Sequence, residues 1–157
     1  MGDLVNEILA RLRAVTGIDY VTVWNEQFRY LEEGKGYSFT MPCAFVEIQT
    51  EELQDVGGRY QGSDINVIIH IGQNVLNVGL LDENLTIFNL RDNVVKDFAK
   101  FKPATSSMMV KTAENQDFDH NNVYHYKIEY KTHWIDNTQV PTEYYTTPPT
   151  NATITRT

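Results

Sequence analysis

The sequence predicts an α+β domain: a mainly antiparallel β-sheet with two α-helices on one face, a projecting hairpin or loop, and an extended C-terminal arm. Three observations carry this. Val123–Ile135 alternates polar and apolar residues, with Tyr124, Tyr126, Ile128, Tyr130 and Trp134 on one parity and His125, Lys127, Glu129, Lys131 and His133 on the other. A strand sends successive side chains to opposite faces, so this is one long strand with an aromatic face and a charged face. Arg59–Gly72 alternates in the same way, Ile65, Val67, Ile69 and Ile71 against Asn66, Ile68 and His70. Two other segments carry apolar residues at helical spacing instead.

The first is Asp3–Thr16, where Leu4, Val5, Ile8, Leu9, Leu12 and Val15 form one stripe, with Asp3 placed to cap the start and Gly17 the end. A short β-rich run, Tyr20–Trp24, follows. Gln27–Thr40 then sets Phe28, Tyr30, Tyr37 and Phe39 around a Glu-Glu-Gly-Lys-Gly centre. It reads equally as a projecting hairpin or as a loop that tucks its aromatics onto the core. Pro42 opens the strand Cys43–Gln49, a position where no ladder donor is lost. After the acidic connection 50–58 and the strand 59–72 comes the second helix, 82–101, with Leu85, Phe88, Val94, Val95, Phe98 and Phe101 as its expected buried stripe and Pro103 as its stop. Met108–Phe118 and Val123–Asp136 form a hairpin around Asp119-His120-Asn121-Asn122. Residues 1–136 thus form a single domain. Residues 137–157, rich in Thr and Pro, hold too little apolar surface to fold alone and are expected to be an arm that orders on a neighbour.

The chain has 157 residues, 41% of them hydrophobic, enough to bury a core in one domain. Its formal net charge of −8, with 13 scattered Lys and Arg residues, argues against gripping nucleic acid through its phosphates. One cysteine excludes an internal disulfide framework and a multi-cysteine zinc site. The longest apolar runs are far too short to span a bilayer, and the N-terminus lacks the layout of a signal peptide, so a cytosolic place of synthesis is expected.

No catalytic, cofactor or metal motif is legible. Asp117, Asp119 and Asn121 imitate the start of a calcium loop, but Asn122 stands where Gly is required and Ile128 where a bidentate Glu is required. His125 and His133 share a face yet lie roughly 26 Å apart along a strand. Nothing in the sequence supports a His70–His125 pairing, and solvent-facing positions are expected for both. Cys43, between Pro42 and Ala44, reads as a small packed residue, and the Gly57–Gly62 stretch precedes a strand and lacks the ending of a phosphate cradle.

The order of elements resembles the tail-terminator and tail-completion proteins of tailed bacteriophages. It is carried by the first helix, MPCAFVEIQ, GRYQGSDINVIIHIG, the helix ENLTIFNLRDNVVKDFAKF and the aromatic last strand NVYHYKIEYKTHWID. The resemblance implies a non-enzymatic structural virion protein without cofactors. It would be made in the bacterial host cytoplasm and form a ring, hexameric or higher, at the head–tail junction. Its partners would be further copies of itself, connector or portal proteins and tail proteins, with DNA passing through an acidic lumen without sequence-specific binding. Phe28, Tyr30, Tyr37, Phe39, Tyr144 and Tyr145 are the expected subunit contacts, because aromatics concentrate at interface cores. The alternative is a host-encoded α+β ligand- or protein-binding module without catalysis.

Overall fold

The computed structural model describes residues 1–35, 38–57, 60–74, 81–120 and 122–136, with the backbone alone for 81–84. In chain order the elements are α1 (Gly2–Arg13), β1 (Tyr20–Val23), α2 (Gln27–Glu32), β2 (Cys43–Thr50), β3 (Gln54–Gly57), β4 (Tyr60–Asn74), α3 (Leu81–Phe98), β5 (Val110–Asp117) and β6 (Val123–Asp136). The expected class holds: a mostly antiparallel sheet with helices, ordered β1-β2-β4-β6-β5, with β3 pairing β4 beside β2. Among the described strands only β1 and β2 run parallel. The expected arm, with Tyr144 and Tyr145, lies outside the described residues, as does Tyr37.

Strand periodicity decides which side chains meet. Val67 pairs with Tyr130 and Ile69 with Ile128 across β4 and β6, so their apolar parities share one face. On that face α1 buries Leu4, Ile8, Leu9 and Leu12, and α3 buries Ile87, Leu90, Val94 and Phe98. These residues, with Ala44, Val46, Tyr130 and Trp134, form the main core. The α3 stripe is rotated from the expected one. Positions 87, 90, 94 and 98 follow the 3-4-4 spacing of one helix face, whereas Leu85 and Phe88 are exposed on its flank. At the start of α1 no side chain caps the helix, so Asp3 supplies only its charge to the first turn.

A third helix is the main departure from the expected architecture. Where a hairpin or loop was expected, α2 forms and covers one end of the opposite sheet face. Gln27 secures its start, its amide donating to the Val23 carbonyl at 2.7 Å and its Oε1 accepting the Asn25 N–H at 2.6 Å. Phe28 is fully buried against Cys43, Phe45 and Val123, with Trp24, Phe39 and Met41 around this second core. Phe28 is therefore a core residue and offers no surface to another chain. Phe39 is half-buried and packs its ring edge-on to Phe45 at 5.3 Å, so it too is spent largely inside its own domain. Tyr30 is half-buried, with the Arg29 and Lys35 cations each 5.9 Å from its ring centre.

Candidate functional site

The second core encloses two histidines. In the β4–β6 register Gly72 lies opposite His125 and His70 opposite Lys127, so the two imidazoles are diagonal neighbours on the face that α2 covers. Contrary to the solvent-facing expectation, both are buried, at 3% and 2% exposure. The reason is the long-range cover. Trp24 stacks on His70 with ring centres 4.0 Å apart and planes 4° apart, and Phe28 sets its ring against His125 at 4.8 Å. Gly72 leaves room for this: a Cβ there would stand 2.5 Å from Phe28 Cε1 and 3.0 Å from Cys43 Sγ.

The buried rings are hydrogen-bonded in a chain. His70 Nε2 lies 2.9 Å from Glu47 Oε2, and His70 Nδ1 lies 2.8 Å from His125 Nε2. A carboxylate only accepts, so the His70 proton sits on Nε2, which assigns Nδ1 as the acceptor of the His125 Nε2–H. His125 Nδ1 is then a bare lone pair. It is buried without a hydrogen-bond partner among the described residues, 3.4 Å from Asp117 Oδ2. Burial holds both imidazoles well below the ordinary histidine range, against the pull of Glu47 on His70 and of Asp117 on His125. Both rings are neutral at pH 7.

Asp117 closes the chain at the tip of the β5–β6 hairpin. Burial alone pushes its carboxyl up, but the Asp119 amide at 3.0 Å and the Lys127 ammonium at 2.9 Å outweigh it and bring the net shift below the usual range. His120, on the same turn, faces His125 with ring centres 5.2 Å apart, and its Nδ1 lies 3.4 Å from Glu32 Oε2 at the end of α2. His133, by contrast, is exposed at the far end of β6 and pairs with Asp64 at 3.0 Å.

Other chemistry fails on geometry. Cys43 is fully buried, its thiol donates weakly to the Gly72 carbonyl at 3.7 Å, and burial pushes it up to about 12. It is the packed residue expected of it, far from the thiolate a nucleophile needs. An open groove of about 460 Å³ lies at the opposite end of the sheet, bordered by Tyr60, Lys102, Trp134 and Ile135. Beside it the apolar residues Leu53, Val56, Tyr60 and Ile135 are 43%, 52%, 40% and 48% exposed.

The histidine pair is the part of the site that the sequence hides. Its one signal is that Cys43, Phe45 and Val123 share parity with His70 and His125, so that end of the charged face is apolar. The chain matches no family model, and no curated protein matches it.

Proposed function

We propose that the chain is a structural subunit of a tailed-phage virion, assembling into a ring at the head–tail junction and docking there to connector and tail proteins. One observation supports this most: β3 and the residue before it, the start of β4 and the end of β6 carry exposed apolar groups at one end of the sheet. Leu53, Val56, Tyr60 and Ile135 lie on segments joined by the Gln54–Gly62 and Gly62–Ile135 pairings. Apolar side chains gathered at a projecting end suit burial against a neighbour. The element order is that of the phage resemblance, and the net charge of −8 suits a lumen through which DNA slides without adhesion.

The contact surface in this reading shifts from Phe28 and Phe39 to the projecting end. A Phe28→Ser substitution tests core stability and says nothing about assembly. The informative variant is Val56→Asp with Ile135→Asp, both exposed. Electron microscopy and sedimentation of the full chain should show closed rings for the native protein and monomers with unchanged circular dichroism for the variant. Native protein that stays monomeric at its highest soluble concentration, or rings indifferent to the double substitution, would refute the proposal.

A further inference from the structure

The tip of the β5–β6 hairpin carries a feature that a scaffold does not need. His125 Nδ1, in a ring 2% exposed, has no hydrogen-bond partner among the described residues and lies 3.4 Å from the carboxylate of Asp117. The two electron-rich atoms have no proton between them, because the Glu47–His70–His125 chain places the His125 proton on Nε2. Lys127 already compensates that carboxylate oxygen at 2.9 Å, but the Nδ1 lone pair stays buried without a partner, a cost that a cation shared by the two groups would relieve. His120 supplies a third donor: one ligand atom from each of Asp117, His120 and His125 lies within 4.8 Å of the others.

We propose that Asp117, His120 and His125 bind a divalent transition-metal ion, with Zn²⁺ the best fit, at the tip of the β5–β6 hairpin.

Geometry supports the ion. With Zn–N about 2.0–2.1 Å and Zn–O about 2.0–2.2 Å, a tetrahedral pair of ligands stands about 3.4 Å apart. The His125 Nδ1 to Asp117 Oδ2 separation is 3.4 Å. Bringing all three donors to that spacing takes a movement on the order of 1 Å at the hairpin tip. The donor set of two imidazoles and one carboxylate suits Zn²⁺ and excludes an oxygen-seeking ion such as Ca²⁺.

The surroundings are those of a supported ligand. A metal-bound histidine ordinarily donates its other ring N–H to a fixed acceptor. His125 does so to His70, which is anchored in turn on Glu47. Asp117 is held by the Asp119 amide and the Lys127 ammonium, and His120 by Glu32. Three protein ligands leave a fourth position for water or a partner's side chain. Because His120 also touches α2, the ion would fasten the hairpin tip to the helix that covers the second core.

Chelator-treated full-length protein titrated with Co²⁺ should develop the visible bands of tetrahedral cobalt, saturating at one equivalent and displaced by Zn²⁺. His120→Gln, at a surface turn, removes a direct ligand and should weaken affinity by at least the about 10–100-fold that losing even an outer-shell partner costs. His133→Gln, at the far end of β6, should bind as the native protein does. Zn²⁺ should also raise the Tm of native protein and of His133→Gln but not of His120→Gln. If His120→Gln fails to fold, Asp117→Asn takes its place in both measurements. Absence of a one-equivalent site, or binding equal in native protein and in the His120 or Asp117 variant, would overturn the proposal.

Discussion

Gly72→Ala should be far more damaging than the loss of a hydrogen atom suggests, and the damage should vanish when Phe28 is shortened. Gly72 lies in the central strand β4, opposite His125, and an added Cβ would stand 2.5 Å from Phe28 Cε1. Phe28 cannot swing away, because it is fully buried with its ring 5.3 Å from both Trp24 and Phe45. Alanine in place of glycine in a strand interior would on its own gain about 0.5–1 kcal/mol. Overpacking a filled core costs about 1–3 kcal/mol, so the net effect in the native background is destabilising. Phe28→Ala alone should cost about 3–5 kcal/mol, and it removes the ring that the new methyl group strikes. In that background Gly72→Ala should be neutral or slightly stabilising. The coupling between the two sites is then about 2 kcal/mol, well above the scatter of additive sites. The Cys43 Sγ contact at 3.0 Å is common to both backgrounds and drops out of the cycle. Urea unfolding of the four proteins, followed by circular dichroism with m-values compared, measures it. Effects that add to within about 0.5 kcal/mol would refute the packing assigned to this core.

Three further outcomes follow from the same geometry. Cys43 should resist disulfide reagents in the native state and react at the rate of its unfolding, since its thiol is buried and pushed up to about 12; labelling within seconds in native buffer would contradict its place in the second core. Arg91→Gln should cost about 1 kcal/mol, because the guanidinium grips both oxygens of Glu114, at 2.8 and 2.5 Å, and ties α3 to β5; urea titration checks this. Arg91 holds the Glu114 carboxyl below its unfolded value near 4.5, so the pair stabilises the fold above that pH and loses its effect as acid protonates Glu114. The stability gap between native protein and Arg91→Gln should therefore narrow below about pH 4.5, and a constant gap would show that Glu114 is not the partner.

Alternation made the sheet legible. The helix-facing parity of β4 and β6 was plain because Ile65–Ile71 and Tyr124–Trp134 repeat at period two over long stretches. β6 matches its expected bounds, Val123–Asp136. The α2 helix was hidden because six residues span too few turns to display a period, and Phe28 and Tyr30 imitate a strand. It persists through tertiary contacts, chiefly the Gln27 bonds and the burial of Phe28, which local propensity does not record. The burial of His70 and His125 was hidden for the same reason. Flanked by Lys127, Glu129 and Lys131, His125 reads as solvated, and only a helix from elsewhere in the chain dries its end of the face. Asp117 was visible at the end of a strand and His120 in the turn after it, but their meeting with His125 depends on the β5–β6 pairing, in which Asp117 lies opposite His125.

The two ends of the α2-side face are built for opposite tasks. At one end Trp24, Phe28 and Phe45 exclude water from His70 and His125, which makes every unpaired polar atom there expensive and every bond strong. At the other end Lys131 bridges Glu51 and Asp64 at 3.0 and 3.1 Å in the open, where such pairs contribute little. In the proposed assembly a neighbour would therefore meet the solvated end, beside the exposed Val56 and Ile135, without disturbing the fold. The dry end cannot yield in that way, because moving α2 would expose the histidine chain and detach Glu32 from His120. In the proposed ring, a subunit that docks through one end and holds its shape at the other would need that second end locked, and the proposed metal ion at Asp117, His120 and His125 would lock it.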